Sequence, residues 1–149
     1  LHLKFLLIIL LFQSFNALSI CLPDMVDYSL EGELKRTSAV IIATPMNRTW
    51  EQDKKEPEFY SGAIYQLEVH DVIYTSSSYN LELWDPNDSG RFAPDIGQRY
   101  LMFMLENEDG SLSVDYCGNS GLLSEKEGVV PKIRSLMHER RNLDSQPGR

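Results

Sequence analysis

The stretch from Arg99 to Leu123 constrains this chain more than any other. It reads as two strands folded on Asp109-Gly110, with Tyr100 to Leu105 on one side and Leu112 to Val114 on the other. Asp-Gly between apolar runs is a strong hairpin signal, because a two-residue turn of that kind needs positive φ at its centre. The second strand delivers Cys117, and the only other cysteine is Cys21. Whether these two meet depends on the compartment, and the N-terminus speaks to that.

Residues 1–19 read as a secretory signal peptide rather than as part of a fold. His2 and Lys4 precede an unbroken apolar run, Phe5 to Phe12, and Ala17 and Ser19 supply small residues at −3 and −1. Eight apolar residues fall far short of the roughly 20 that span a bilayer. Cleavage is expected after Ser19, leaving Ile20-Cys21 at the mature terminus. Cleavage after Ile20 is the alternative, and Ile20 also argues against a lipoprotein, which wants a small residue just before the cysteine. The chain is therefore expected to be secreted or extracellular, or periplasmic or at the cell surface if bacterial, with no membrane insertion once mature.

Loss of Lys4 takes the formal charge from −8 to about −9. So acidic a surface argues against nucleic acid or an anionic membrane as a partner. About 130 residues remain, enough for one domain with a real core, expected to be a monomer. Two cysteines in an exported chain favour one disulfide, Cys21 to Cys117, over two isolated thiols.

Along the mature chain, Ser29 should cap a short helix through Arg36, although Gly32 stands where a capping box wants Glu or Gln. Ser38 to Thr44 is a β-branched run that suits a strand buried on both faces, stopped by Pro45. Asn47 to Tyr60, charged and containing Pro57, reads as a loop. Ala63 to Thr75 alternates, with Ala63, Tyr65, Leu67 and Val69 facing one way. The alternation changes phase after His70, which predicts a bulge near Val72. Tyr79 to Trp84 is a further strand, followed by a turn-rich loop from Asp85 to Gly90. Past Cys117, Ser124 to Glu127 has capping-box spacing, but Gly128 and Pro131 place the start of a stable helix near Val130. Its stripe of Val130, Ile133 and Met137 suits docking on the barrel better than binding a partner. The limits that follow are a signal peptide at 1–19, one domain at 20–138 and a flexible tail at 139–149. A short helix, five strands and a closing helix fit a mainly β fold, a five-stranded Greek-key barrel of OB type.

Chemistry finds little footing. His70 and His138 are far apart, so no metal spacing exists, and no cofactor motif is present. Cys117-Gly118-Asn119-Ser120-Gly121 lacks the Gly-Lys-Ser or Gly-Lys-Thr of a phosphate loop and reads as a turn. A cysteine nucleophile would need a reduced thiol and a base. Tyr65, Tyr74, Tyr79 and Trp84 could form a stacking platform, but without basic neighbours packing is the better reading. The chain is thus not expected to be an enzyme. Asn47-Arg48-Thr49 and Asn87-Asp88-Ser89 fit the glycosylation acceptor pattern, which in a secreted eukaryotic chain implies exposed loops.

The ordered motifs Cys21-Leu22-Pro23, Val40 to Pro45, Tyr65 to Val69 with Val72-Ile73-Tyr74, and Gly97 to Leu101 leading through Asp109-Gly110 to Cys117 resemble a known family. They are similar to the N-terminal domain of the tissue inhibitors of metalloproteinases and the wider netrin-like modules. The likeness covers residues 20 to about 137. It implies an OB barrel, a disulfide from the start of the chain to the hairpin strand, and a protein partner, a zinc metalloendopeptidase. Inhibition of that partner would run through a ridge of Ile20, Cys21, Leu22 and Pro23 beside Ser89, Gly90, Arg91 and Phe92. The family's mature chains begin Cys-x-Cys-x-Pro, and the first cysteine's amine and carbonyl bind the protease zinc. Here Ser19-Ile20-Cys21-Leu22-Pro23 puts Ser19 at that first position, and Ser89 to Ile96 lacks its partner cysteine. Both halves of one bridge are missing while both halves of the other remain. A non-inhibitory extracellular binding or structural domain is accordingly the alternative reading.

Overall fold

The computed structural model describes Cys21, residues 26–76 and residues 82–144. In chain order the elements are α1 (Leu30–Arg36), β1 (Ala39–Gln52), β2 (Tyr60–Thr75), β3 (Glu82–Pro86), β4 (Tyr100–Glu106), β5 (Leu112–Val114), β6 (Gly121–Leu122), α2 (Leu123–Lys126) and α3 (Val130–Asp144). The fold is mainly β, an antiparallel sheet with a helix at each end.

The strands pair in the order β3-β2-β1-β4-β5, with β6 also on β4. This is the neighbour order expected of an OB-type Greek key, but the barrel is not closed. β3 and β5 lie against each other without a hydrogen-bonded ladder. β5 runs for only three residues before the chain bends at Asp115 towards Cys117, which leaves too little strand to zip along β3.

β1 shows why its apolar run is continuous. Ala39, Ile41 and Ala43 face one core with Ala63, Tyr65, Leu83, Met102 and Met104. Val40 faces a second core with Leu34, Ile73, Leu101, Phe103, Ile133 and Met137. The first core fills the curl of the sheet, and the second is covered by α1 and α3. Both faces are dry, so both carry apolar side chains. The stripe on α3 is thus docked on the sheet.

Bulges bend the sheet. Register shifts leave His70 and Ile73 of β2 as extra residues opposite β1, where the change of phase was expected. Pro45, by contrast, does not end β1. Its carbonyl accepts from the Gly97 N–H (2.8 Å) on the side away from β2. N–H and C=O of one strand residue point the same way, so the missing N–H takes nothing from the β1–β2 ladder. The strand runs on to Gln52, and most of the segment expected to be a loop is ribbon, with the connection confined to residues 53–59.

The hairpin at Asp109-Gly110 also differs in detail. Gly110 N–H donates to the Asn107 carbonyl (3.0 Å) and Asn107 N–H to the Ser111 carbonyl (2.9 Å). Positive φ falls on Gly110 (82°) and not on Asp109. This is a three-residue loop with a glycine bulge rather than a two-residue turn. Helix α1 begins as expected, with Ser29 Oγ accepting from Gly32 N–H (3.1 Å). Helix α3 starts at Val130 with Pro131 in its first turn and continues to Asp144, so residues 139–144 are helical. Tyr79 and Leu81 lie outside the described residues.

Candidate functional site

The start of the domain is pinned to the chain beyond β5 by three kinds of contact. Cys21 and Cys117 form a disulfide, with Cα atoms 5.7 Å apart across 96 residues of sequence. Two residues on, the Asn119 backbone N–H and side-chain Nδ2 both donate to Glu33 Oε2, each at 2.7 Å. Asn119 Nδ2 also donates to the Tyr28 carbonyl (3.1 Å). Arg36 reaches Asp115 at 3.7 Å and stacks over the Tyr28 ring at 5.9 Å. Asp115 in turn accepts from the Cys117 N–H (2.9 Å) and shapes the turn that presents the cysteine. The stretch from Cys117 is therefore a turn, as its lack of phosphate-loop residues implied, and Gly121 opens β6.

Glu33 is the unusual member. It is fully buried, and its second oxygen, Oε1, has no hydrogen-bond partner. Burial pushes its carboxyl above the usual range, against the pull of the Asn119 bonds and Arg36. Gly118 packs on it so closely that a Cβ there would lie 2.1 Å from Oε1.

A second organising carboxylate is Asp85 at the end of β3. Its oxygens accept from the Phe92 N–H (2.7 Å) and the Ala93 N–H (3.0 Å), which folds residues 86–93 back on the strand. Ala93 takes a φ of 46° to make that turn. Burial raises the Asp85 carboxyl while the two N–H groups lower it, and burial is the larger effect. The Phe92 ring meets Tyr100 edge-on at 5.5 Å, and the Tyr100 hydroxyl accepts from the Asp95 N–H (3.0 Å).

Of the expected contact residues, Ser89, Gly90 and Arg91 are exposed on this loop, whereas Phe92 is half-buried against the core and roots it. Ile20, Leu22 and Pro23 lie outside the described residues. Asn47 and Asn87 are both exposed. Asn87 sits in a loop, but Asn47 stands on β1, where its side chain donates to Gln66 (2.8 Å).

The polar run of residues 46–60 concealed a surface feature. The outer half of β1 is exposed throughout, and Trp50 packs against Tyr60 at 5.5 Å with the Arg48 guanidinium over the Trp50 ring at 4.6 Å. Phe59 beside them is 60% exposed. Aromatic residues interleaved with charges were the available signal. An open depression of about 460 Å³ beside the turn end of this ribbon is lined by Glu51, Lys54, Glu82, Trp84 and Leu112. It mixes both charge signs without converging donors.

Among the described residues no group of three His, Cys, Asp or Glu could hold a metal ion. The exposed His70 bonds Thr44 Oγ1 (2.8 Å), and Tyr65 is core rather than platform. No helix among the described residues is long and apolar enough to cross a membrane. No family model matches the sequence, and no curated protein matches it.

Proposed function

We propose that this chain is a secreted, netrin-like domain of the metalloproteinase-inhibitor type, which binds an extracellular protein partner. The observation that carries the reading is the Cys21–Cys117 bridge, which fixes the start of the domain against the chain beyond β5. Free chain ends are ordinarily loose. A start held by a disulfide, two bonds to a buried carboxylate and an ion pair is held for presentation. Ile20 to Pro23 then supply one part of the contacting ridge, and Ser89, Gly90 and Arg91 the other, with Phe92 and Asp85 setting the loop's shape. The partner in this reading is a zinc metalloendopeptidase, and the domain brings no metal of its own.

The test is inhibition. Secreted protein with its terminus verified by mass spectrometry should give saturable inhibition of at least one zinc endopeptidase in a panel, lost on deletion of Ile20 to Pro23. No inhibition anywhere in the panel defeats the inhibitory reading. The second reading, a non-inhibitory binding domain, is favoured by Ser19 at the family's first-cysteine position. Capture of a non-protease partner that survives the same deletion would establish it.

A further inference from the structure

Among the described residues, the outer half of β1 has a strand neighbour on one side only. β4 pairs with Ala39 to Ala43 and no further, and Gly97 reaches Pro45, so beyond that point only β2 is bonded to β1. Every residue from Met46 to Gln52 is exposed. Within this segment the register against β2 is regular from Asn47 to Glu51, with shifts at both ends. A regular, exposed edge is a template for another strand. Such edges are usually blunted by an inward charge, a proline or a bulge, and here the irregularities flank the segment instead of interrupting it.

We propose that this edge is an interface between two copies of the chain, paired antiparallel through Asn47 to Glu51 about a two-fold axis at Thr49. The sequence is self-complementary about that point. Arg48 would lie opposite Trp50 of the second copy, and Asn47 opposite Glu51 of the second copy. Arg48 and Trp50 share one face of the strand, since they are two residues apart. Arg48 already stacks on Trp50 within the chain and has no ion-pair partner among the described residues. Pairing would extend that stack to two arginines and two tryptophans, with no like charges facing across the axis. The sheet would become continuous across the dimer, β3-β2-β1 meeting its own image. This does not depend on the extracellular partner proposed above.

Net charge gives the dimer a distinctive signature. Each full chain carries −8, and about −9 once Lys4 is lost, so long-range repulsion opposes association and salt relieves it. The glycosylation acceptor at Asn47 lies within the pairing segment, and a glycan there would cover it.

The experiment is sedimentation velocity on the disulfide-intact protein carrying Asn47→Gln, which removes the acceptor and keeps an amide. A reversible monomer–dimer equilibrium that strengthens with salt is expected. Arg48→Glu should raise the dimer dissociation constant roughly tenfold, because each substitution is felt twice. Lys132→Glu makes the same charge change on exposed α3 and should leave it unaltered. Thr49→Cys should give a covalent dimer on mild oxidation, and Asn47→Cys should not. A protein that stays monomeric at high concentration overturns the proposal. So does a dimer that ignores Arg48→Glu and is not linked through Thr49→Cys.

Discussion

Asn119 donates twice to one oxygen of Glu33, while the other oxygen is buried without a partner. The pair joins α1 to the chain beyond β5, and it makes the site sensitive to protonation. The folded-state pKa of Glu33 is raised, chiefly by burial. A raised carboxyl contributes stability that is fully present below the unfolded value, near 4.5, and is lost as pH rises through the folded value. Glu33→Gln keeps the shape and removes the charge. The difference in urea midpoint between this variant and the parent should move in the variant's favour as pH rises from 4 to 8. A flat difference would mean that the charge of Glu33 is compensated.

Asn119→Ala should cost about 1–3 kcal/mol, the range for buried acceptors that lose a partner, because Glu33 Oε2 and the Tyr28 carbonyl lose the Nδ2 donor and only the backbone N–H remains on Oε2. Equilibrium urea unfolding reads it directly. In the Glu33→Gln background the cost should differ, since the two residues share these bonds and are coupled.

Gly118→Ala should destabilise by about 1–3 kcal/mol, the usual penalty for an added group in a packed site. Its Cβ would lie 2.1 Å from Glu33 Oε1, an atom held in place by Asn119 through its partner oxygen. A double-mutant cycle with Glu33→Ala should recover most of the loss. Two independent, additive effects would place the clash elsewhere.

Removing the bridge with Cys21→Ser and Cys117→Ser should lower stability by roughly 4–5 kcal/mol on the chain-entropy account, given the length of the closed loop. Thermal melts of the oxidised parent and the double variant measure it. A loss well under that range would point to residual structure in the unfolded chain.

Asp85→Ala leaves the Phe92 and Ala93 N–H groups without their acceptor and should free residues 86–93. The expected readout is faster limited tryptic cleavage after Arg91, with the core still folded by near-ultraviolet circular dichroism. An unchanged cleavage rate would show that the Phe92–Tyr100 contact alone holds the loop.

The parts of this fold legible in the sequence are those where one local rule governs. β1 betrayed its two buried faces by an unbroken apolar run, β2 its bulges by a change of phase after His70, and α3 its start by Pro131. The disulfide followed from the two cysteines and the expectation of export. Pro45 misled because its cost depends on which side of the strand is paired, a tertiary fact. The outer half of β1 was hidden for a related reason, since a ribbon exposed on both faces has no alternation to detect. Open closure at β3 and β5 depends on strand lengths that residue patterns resolve poorly. Glu33 and Asp85 looked like any surface carboxylates, because their partners are 86 residues away in one case and backbone N–H groups in the other.

The bridge between Cys21 and Cys117 makes the domain almost a ring. A protease that cuts once between those positions, at the ribbon tip near Lys54 or in the loop near Arg91, opens the ring without dividing it. Both pieces stay covalently attached, each carrying strands that the other needs. On a gel run without reductant the clipped protein would migrate as one species, and only reduction would reveal the scission. A chain tied in this way can be nicked and remain a single body.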